Sequence, residues 1–219
     1  MSPAIEPFLE EACQPHVRGF IDRSASPTGD GLVLTHGAGA NCQSPLLMAV
    51  ARALAECGIT VLRCDLPFRQ MRPHGPPGPG SAARDREGLR QALGAMRKIV
   101  PGRIFLGGHS YGGRQASMLA AEDESVAAAL LLLSYPLHPP RRPEQLRTAH
   151  FPQLRVPSLF VQGTRDEFAS VKEISAALGL IPARTTLFVI DGAVHSLAAP
   201  RDVATVAARI VTAFREFIG

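Results

Sequence analysis

The chain has no tryptophan and only 2 tyrosines, and lysine is confined to Lys98 and Lys172. A nucleic-acid surface needs a basic stripe interleaved with aromatics, and none exists here. The net charge of +4 comes from scattered arginines, which an arginine-favouring, Ala-, Gly- and Pro-rich composition explains without such a partner. No apolar run is long enough to span a bilayer, and residues 1–6 lack the basic and apolar regions of a secretory signal. The expectation is therefore a cytoplasmic protein with neither a membrane nor a nucleic acid as partner. Its 4 cysteines, Cys13, Cys42, Cys57 and Cys64, show no C-x-x-C spacing and are too few for a disulfide scaffold, so they are expected to be reduced. No Cys, Asp or Glu stands at metal-site spacing around His36 or His109, and no Gly-rich phosphate loop is present. Neither a metal nor another cofactor is expected.

What the chain does have is 46% hydrophobic and 19% charged residues over 219 positions, enough for one well-buried core. The reading is a single α/β domain over 1–219, with 1–28 as an N-terminal extension in which 17–21 is a candidate edge strand. Short apolar runs at 32–35, 60–66, 103–107, 128–133, 158–161 and 186–190 read as buried strands. Helical patterns at 45–57, 84–100, 114–122, 169–179 and 202–217 alternate with them. Segment 69–83 is too rich in Pro and Gly to be regular, and 137–156 is a second segment rich in Pro and Arg. Such alternation is the signature of a mostly parallel sheet with helices on both faces. Ligands bind such sheets along the edge where the strands' carboxyl ends emerge.

One strand runs into Gly108-His109-Ser110-Tyr111-Gly112, a Gly-x-Ser-x-Gly turn that leads into a helix. By itself the pattern is weak, with roughly 0.1 chance matches expected in a chain of this composition and length. Its context is what counts. A serine in a sharp strand-to-helix turn has its hydroxyl exposed at the top of the sheet, and small neighbours let the backbone bend that tightly. Free serine is a poor nucleophile and needs a base, held in the right tautomer by a third group. Asp166 and His195 each follow a later strand, in the chain order Ser, Asp, His. Asp191 is a rival acid, but it shares a short loop with His195 and suits a turn; Glu167 is a weaker rival.

Backbone donors for an oxyanion are expected from the Tyr111 N–H and from the small-residue turn His36-Gly37-Ala38, at Ala38. His36 is expected to brace that turn and His109 to fill space at the elbow. His36, His138, Arg141 and Arg147 are also candidates for substrate contact. The arginines of 136–156 would favour an acidic substrate, although a solvated Arg-rich loop needs no function.

With these residues in view, the chain resembles the α/β-hydrolase superfamily from about Gly31 onward, and within it the dienelactone-hydrolase-like small hydrolases. It is similar to a family shared by many bacterial predicted hydrolases, a vertebrate testis-expressed protein and a subunit of a chromatin acetyltransferase complex. The stretches that carry this are 34–40, Arg63 to Phe68, the run Tyr135-Pro136-Leu137-His138-Pro139-Pro140, and Gln162 to Asp166. The resemblance implies the α/β-hydrolase fold with a minimal cap or none, and Ser110, Asp166 and His195 as a catalytic triad. Dienelactone hydrolases proper use a cysteine nucleophile, so dienelactone cleavage is not implied. His109 and Tyr111 stand where the family often has Arg and Met, which alters the pocket and not the nucleophile.

The function expected is hydrolysis of a small-molecule carboxylic ester or thioester through an acyl-enzyme on Ser110. The rival readings are a catalytically silent scaffold of the same fold, and an acyltransferase or peptidase using the same three side chains. Oligomeric state is not fixed by the sequence.

Overall fold

A computed structural model describes residues 3–219. The six runs read as buried strands form β3 (Gly31–Thr35), β4 (Thr60–Cys64), β5 (Ile104–His109), β6 (Leu130–Leu133), β7 (Ser158–Gly163) and β8 (Thr185–Ile190). Two strands precede them, β1 (Ala4–Glu10) and β2 (Val17–Arg23). All eight make one sheet in the order β1-β2-β4-β3-β5-β6-β7-β8. The pairs from β4 to β8 are parallel, and the β1–β2 hairpin joins β4 antiparallel.

The expected edge strand at 17–21 is a correction: it lies in β2, inside the sheet, and β1 is the edge. β1 has no clean alternation to reveal it. It carries Glu6, Pro7 and Glu10 and is mostly exposed, as an edge strand that resists further pairing should be.

The helices are α1 (Pro45–Glu56), α2 (Pro67–Met71), α3 (Ser81–Arg97), α4 (Tyr111–Glu122), α5 (Val171–Leu178) and α6 (Val203–Ile218). Side chains of adjacent strand positions go to opposite faces. Leu32, Leu34, Val61, Phe105, Leu131 and Val161 pack under α1 and α6. Val33, Leu62, Leu106, Leu132 and Phe160 pack under α3, α4 and α5. Because both faces are covered, the central strands read as unbroken apolar runs. Phe105, 1% exposed, meets Phe214 of α6 edge to face at 5.4 Å; burying a ring of this size contributes about 3 kcal/mol.

Of the two Pro-rich segments, 69–83 is more regular than expected, while 137–156 has as its one regular element a short 3-10 turn at Phe151–Gln153. In 69–83, α2 extends to Met71 and α3 begins at Ser81, so only 72–80 is loop. Pro67 at the first helical position of α2 removes an N–H that would have been unsatisfied anyway. In 136–156 there is no cap domain. The Tyr135–His138 run plugs the core, with Tyr135 against Phe151 and Phe160 at 5.3 and 5.7 Å. The Tyr135 hydroxyl donates to the Arg147 carbonyl at 2.9 Å and pins the segment down.

Candidate active site

Strand β5 delivers Ser110 to the carboxyl edge of the sheet, where its N–H donates to the Leu133 carbonyl of β6 at 2.8 Å. The chain then reverses. Ser110 sits at φ 52° and ψ −117°, a region that costs a side-chain-bearing residue about 1–3 kcal/mol. The Arg114 N–H returns to the Ser110 carbonyl at 3.0 Å and starts α4. Close packing makes the turn possible: a Cβ on Gly112 would lie 2.5 Å from the His36 carbonyl oxygen.

Ser110, His195 and Asp166 stand in hydrogen-bonded series. His195 Nε2 is 2.8 Å from Ser110 Oγ, and His195 Nδ1 is 2.9 Å from both Asp166 carboxylate oxygens. The Asp166 side chain is fully enclosed and can only accept, so Nδ1 donates and the Nε2 lone pair is left facing the serine hydroxyl. Asp166 also accepts from the Phe168 N–H at 2.9 Å and from Gln162 Nε2 at 2.8 Å. It does not cap the following helix. Ser170 does that, in a capping box with Glu173. The rival acids stand apart, with Asp191 exposed and accepting from the Thr164 hydroxyl at 3.2 Å and Glu167 out in solvent.

Two further aromatic rings hold His195. Phe168 lies against His195 with ring centroids 4.1 Å apart and 32° between planes. His109 Nε2 donates to the His195 carbonyl at 2.8 Å. Burial lowers the His109 pKa to about 4, so at neutral pH it is an uncharged donor. His109 was expected to fill space; it also anchors the loop that carries His195.

The turn expected to supply the second oxyanion donor lies beside the elbow. A Cβ on Gly37 would come 3.4 Å from the Cβ of Ser110. Among the described residues, the N–H groups of Ala38 and Tyr111 have no protein hydrogen-bond partner. His36 braces this turn as expected: its Nδ1 donates to the Gly37 carbonyl at 2.9 Å and its Nε2 accepts the Leu66 N–H at 3.1 Å. Burial lowers its pKa. The candidate role of His36 in substrate contact is therefore a correction, since the ring is wholly buried and both nitrogens are used.

The other candidate contacts disperse. His138 is 5% exposed, with Nδ1 2.8 Å from the Pro139 carbonyl and Nε2 3.7 Å from a Glu173 carboxylate oxygen beside α5. Arg141 is exposed. Arg147 is half-buried, and its Nη1 donates to the Pro136 carbonyl at 3.3 Å.

Sequence reasoning missed four residues at the site. Phe168 carries no recognisable signal; Gln162 stood in the stretch that carries the resemblance, without a role assigned to it. Asp85, at the start of α3, accepts the Tyr111 hydroxyl at 2.7 Å and the Phe68 N–H at 3.0 Å. Burial raises its pKa, and those two donors oppose the shift. Arg69 lay in a stretch read as irregular.

Residues 29–218 match a family described as an alpha/beta hydrolase domain. The chain belongs to that family. Among solved structures, this alpha/beta hydrolase is similar to an alpha-beta serine hydrolase homologue from Coxiella burnetii. The two are 20% identical with a TM-score of 0.78, over 95% of this chain and 96% of the other. A dienelactone hydrolase from Anabaena variabilis is 19% identical, with a TM-score of 0.77 over 99% of each chain. Est1E from Butyrivibrio proteoclasticus, solved with ferulic acid bound, is 16% identical, with a TM-score of 0.77 over 96% of this chain and 99% of that one. At these identities the likenesses speak to the fold. No helix among the described residues is long and apolar enough to cross a membrane.

Proposed function

We propose that the chain is a single-domain, cofactor-free serine hydrolase that cleaves carboxylic esters or thioesters of small molecules through an acyl-enzyme on Ser110. The observation that carries this is His195 bridging Ser110 at 2.8 Å and the enclosed Asp166 carboxylate at 2.9 Å. In this reading His195 Nε2 takes the serine proton as Oγ attacks the carbonyl carbon. The oxyanion that forms is held by the Tyr111 and Ala38 N–H groups. His195 then gives the proton to the departing alcohol or thiol, and the acyl group stays on Ser110. Water enters, loses a proton to His195 and releases the acid.

Absence of a cap over the series, with the His195 side chain 21% exposed, supports water as the acceptor and small esters over an extended peptide. Arg147 lies beside Arg114 of α4, whose charge helps lower its pKa, and is proposed to meet an acidic group on the substrate. Arg141, exposed on the same segment, is proposed as a further cation available to such a group. The 4 free cysteines fit the cytoplasmic placement proposed with this activity. The narrower kinship with the testis-expressed and acetyltransferase-complex proteins belongs to the same proposal and rests on the Tyr135-to-Pro140 run.

The test is fluorophosphonate labelling followed by turnover. Wild type should label, and Ser110→Ala should not. Folded wild type that refuses the probe would leave only the scaffold reading. A panel of esters and thioesters of graded acyl length, with acidic members, should then show hydrolysis without an added acceptor.

A further inference from the structure

Arg69 is 4% exposed, and it makes no ion pair with any described carboxylate. Its guanidinium is instead surrounded by backbone carbonyls. Nε donates to Ala40 at 2.7 Å, Nη2 to Ala38 at 2.8 Å and to Gly75 at 2.9 Å, and Nη1 to Arg72 at 3.0 Å. The face of Phe68 lies 5.0 Å away. Buried charges are normally paired, because leaving one uncompensated is costly. Here the carbonyls of two separate loops satisfy the donors but supply no formal negative charge.

The Ala38 and Ala40 carbonyls belong to the turn that packs Gly37 against the elbow and that the Ala40 N–H closes on the Gly37 carbonyl at 3.1 Å. The Ala38 carbonyl shares its peptide plane with the Gly39 N–H, and the Ala38 N–H shares one with the Gly37 carbonyl, which His36 Nδ1 holds at 2.9 Å; Arg69 and His36 thus fix the planes on either side of Ala38, and between them the aim of its N–H. The same bracket reaches the other side of the elbow. Phe68, next to Arg69, meets the His36 ring at 5.6 Å and the Tyr111 ring edge-on at 5.6 Å, and its N–H is held by Asp85, which also takes the Tyr111 hydroxyl. The field of Arg69 reaches the turn, since it is among the influences that lower the His36 pKa. Arg69 also lines a hollow of about 640 Å³ with Phe8, Phe20, Asn41 and His74, and none of Ser110, Asp166 and His195 lines it.

We propose that Arg69 is a positioning residue for acyl transfer: its fork of carbonyl contacts holds the 37–40 turn with the Ala38 N–H aimed at the carbonyl oxygen under attack, and its unpaired charge favours the oxyanion. This rests on the reading of Ser110 as nucleophile. In the ground state the carbonyl oxygen carries little charge; in the tetrahedral intermediate it carries a full one. The effect of Arg69 therefore falls on kcat rather than on KM.

The experiment compares wild type, Arg69→Met, Arg69→Lys and Arg69→Ala on one good ester, with melting curves for each. Removal of an oxyanion donor costs about 100-fold in kcat, and Arg69→Met should lose about that much while KM stays within about threefold. A trifluoromethyl ketone that mimics the tetrahedral adduct should weaken by the same factor, and the acid product should bind as before. Millimolar guanidinium should restore part of the Arg69→Ala rate, and methylammonium should not. A folded Arg69→Met with near-wild-type kcat, or equal weakening of ketone and product, overturns the proposal. Should the Met variant fail to fold, Arg69→Lys decides, because a lysine cannot span the four carbonyls and full activity there excludes the fork. Failure of wild type to label with fluorophosphonate would instead defeat the parent reading, whatever Arg69 does.

Discussion

Replacing Asp166 by Asn changes one atom and removes one charge, and the site geometry sets what that costs. Three N–H donors converge on the carboxylate, from His195, Phe168 and Gln162. Asn offers one acceptor oxygen and an NH2 group, so at least one donor meets a donor. Gln162 Oε1 has no partner, and turning that amide lets the Asn NH2 donate to it, so the fold should survive at a cost of about 1–3 kcal/mol. Catalysis should not be so tolerant. At about 4 Å and an effective dielectric near 20, a carboxylate stabilises the imidazolium formed in the transition state by about 4 kcal/mol, or about a thousandfold. If the Asn NH2 faces Nδ1, the imidazole proton is also driven to Nε2, where it cannot accept from serine. We expect kcat on p-nitrophenyl acetate to fall about 1,000- to 10,000-fold with KM little changed. Asp191→Asn, at an exposed turn, should stay within about twofold of wild type. A loss under tenfold in folded Asp166→Asn, or an equal loss in Asp191→Asn, would refute the assignment of the acid.

Ser110→Gly should abolish turnover and yet raise the melting temperature relative to Ser110→Ala, because glycine adopts the elbow's positive φ without strain; the difference should be about 1 kcal/mol. The partly buried His109 should make the fold acid-labile. Its native pKa of about 4 lies below the ordinary 6.5, so between those values the unfolded chain binds a proton that the folded one refuses. Its contribution is intact above pH 6.5 and declines as pH falls, by about 3 kcal/mol at pH 4. Urea melts of wild type and His109→Gln from pH 7 to 4 should show a shallower decline in the variant, and parallel curves would exclude His109 as a source of the lability.

The parallel core of the fold was legible because both faces of the sheet are covered, which leaves strands such as Leu130–Leu133 uniformly apolar. β1 escaped notice for the opposite reason, since an exposed edge strand has no inward face to pattern. Ser110, Asp166 and His195 could be picked out because each lies within five residues of the carboxyl end of a strand, and strand ends converge on one edge whatever the loops do. The residues that brace the neighbouring turns were hidden. Arg69 and Asp85 act across 31 and 26 positions of sequence, through contacts that only the folded chain creates. His36 was read in two roles, and burial selected one of them.

The uncapped rim has a consequence for the second half of the proposed reaction. An acyl-serine facing bulk solvent is open to any nucleophile that His195 can deprotonate, so the medium and not the protein architecture sets the competition. Water wins by abundance, and an added alcohol, thiol or hydroxylamine diverts the acyl group in proportion to its concentration. For such a site, hydrolase and transferase name two ends of one partition ratio.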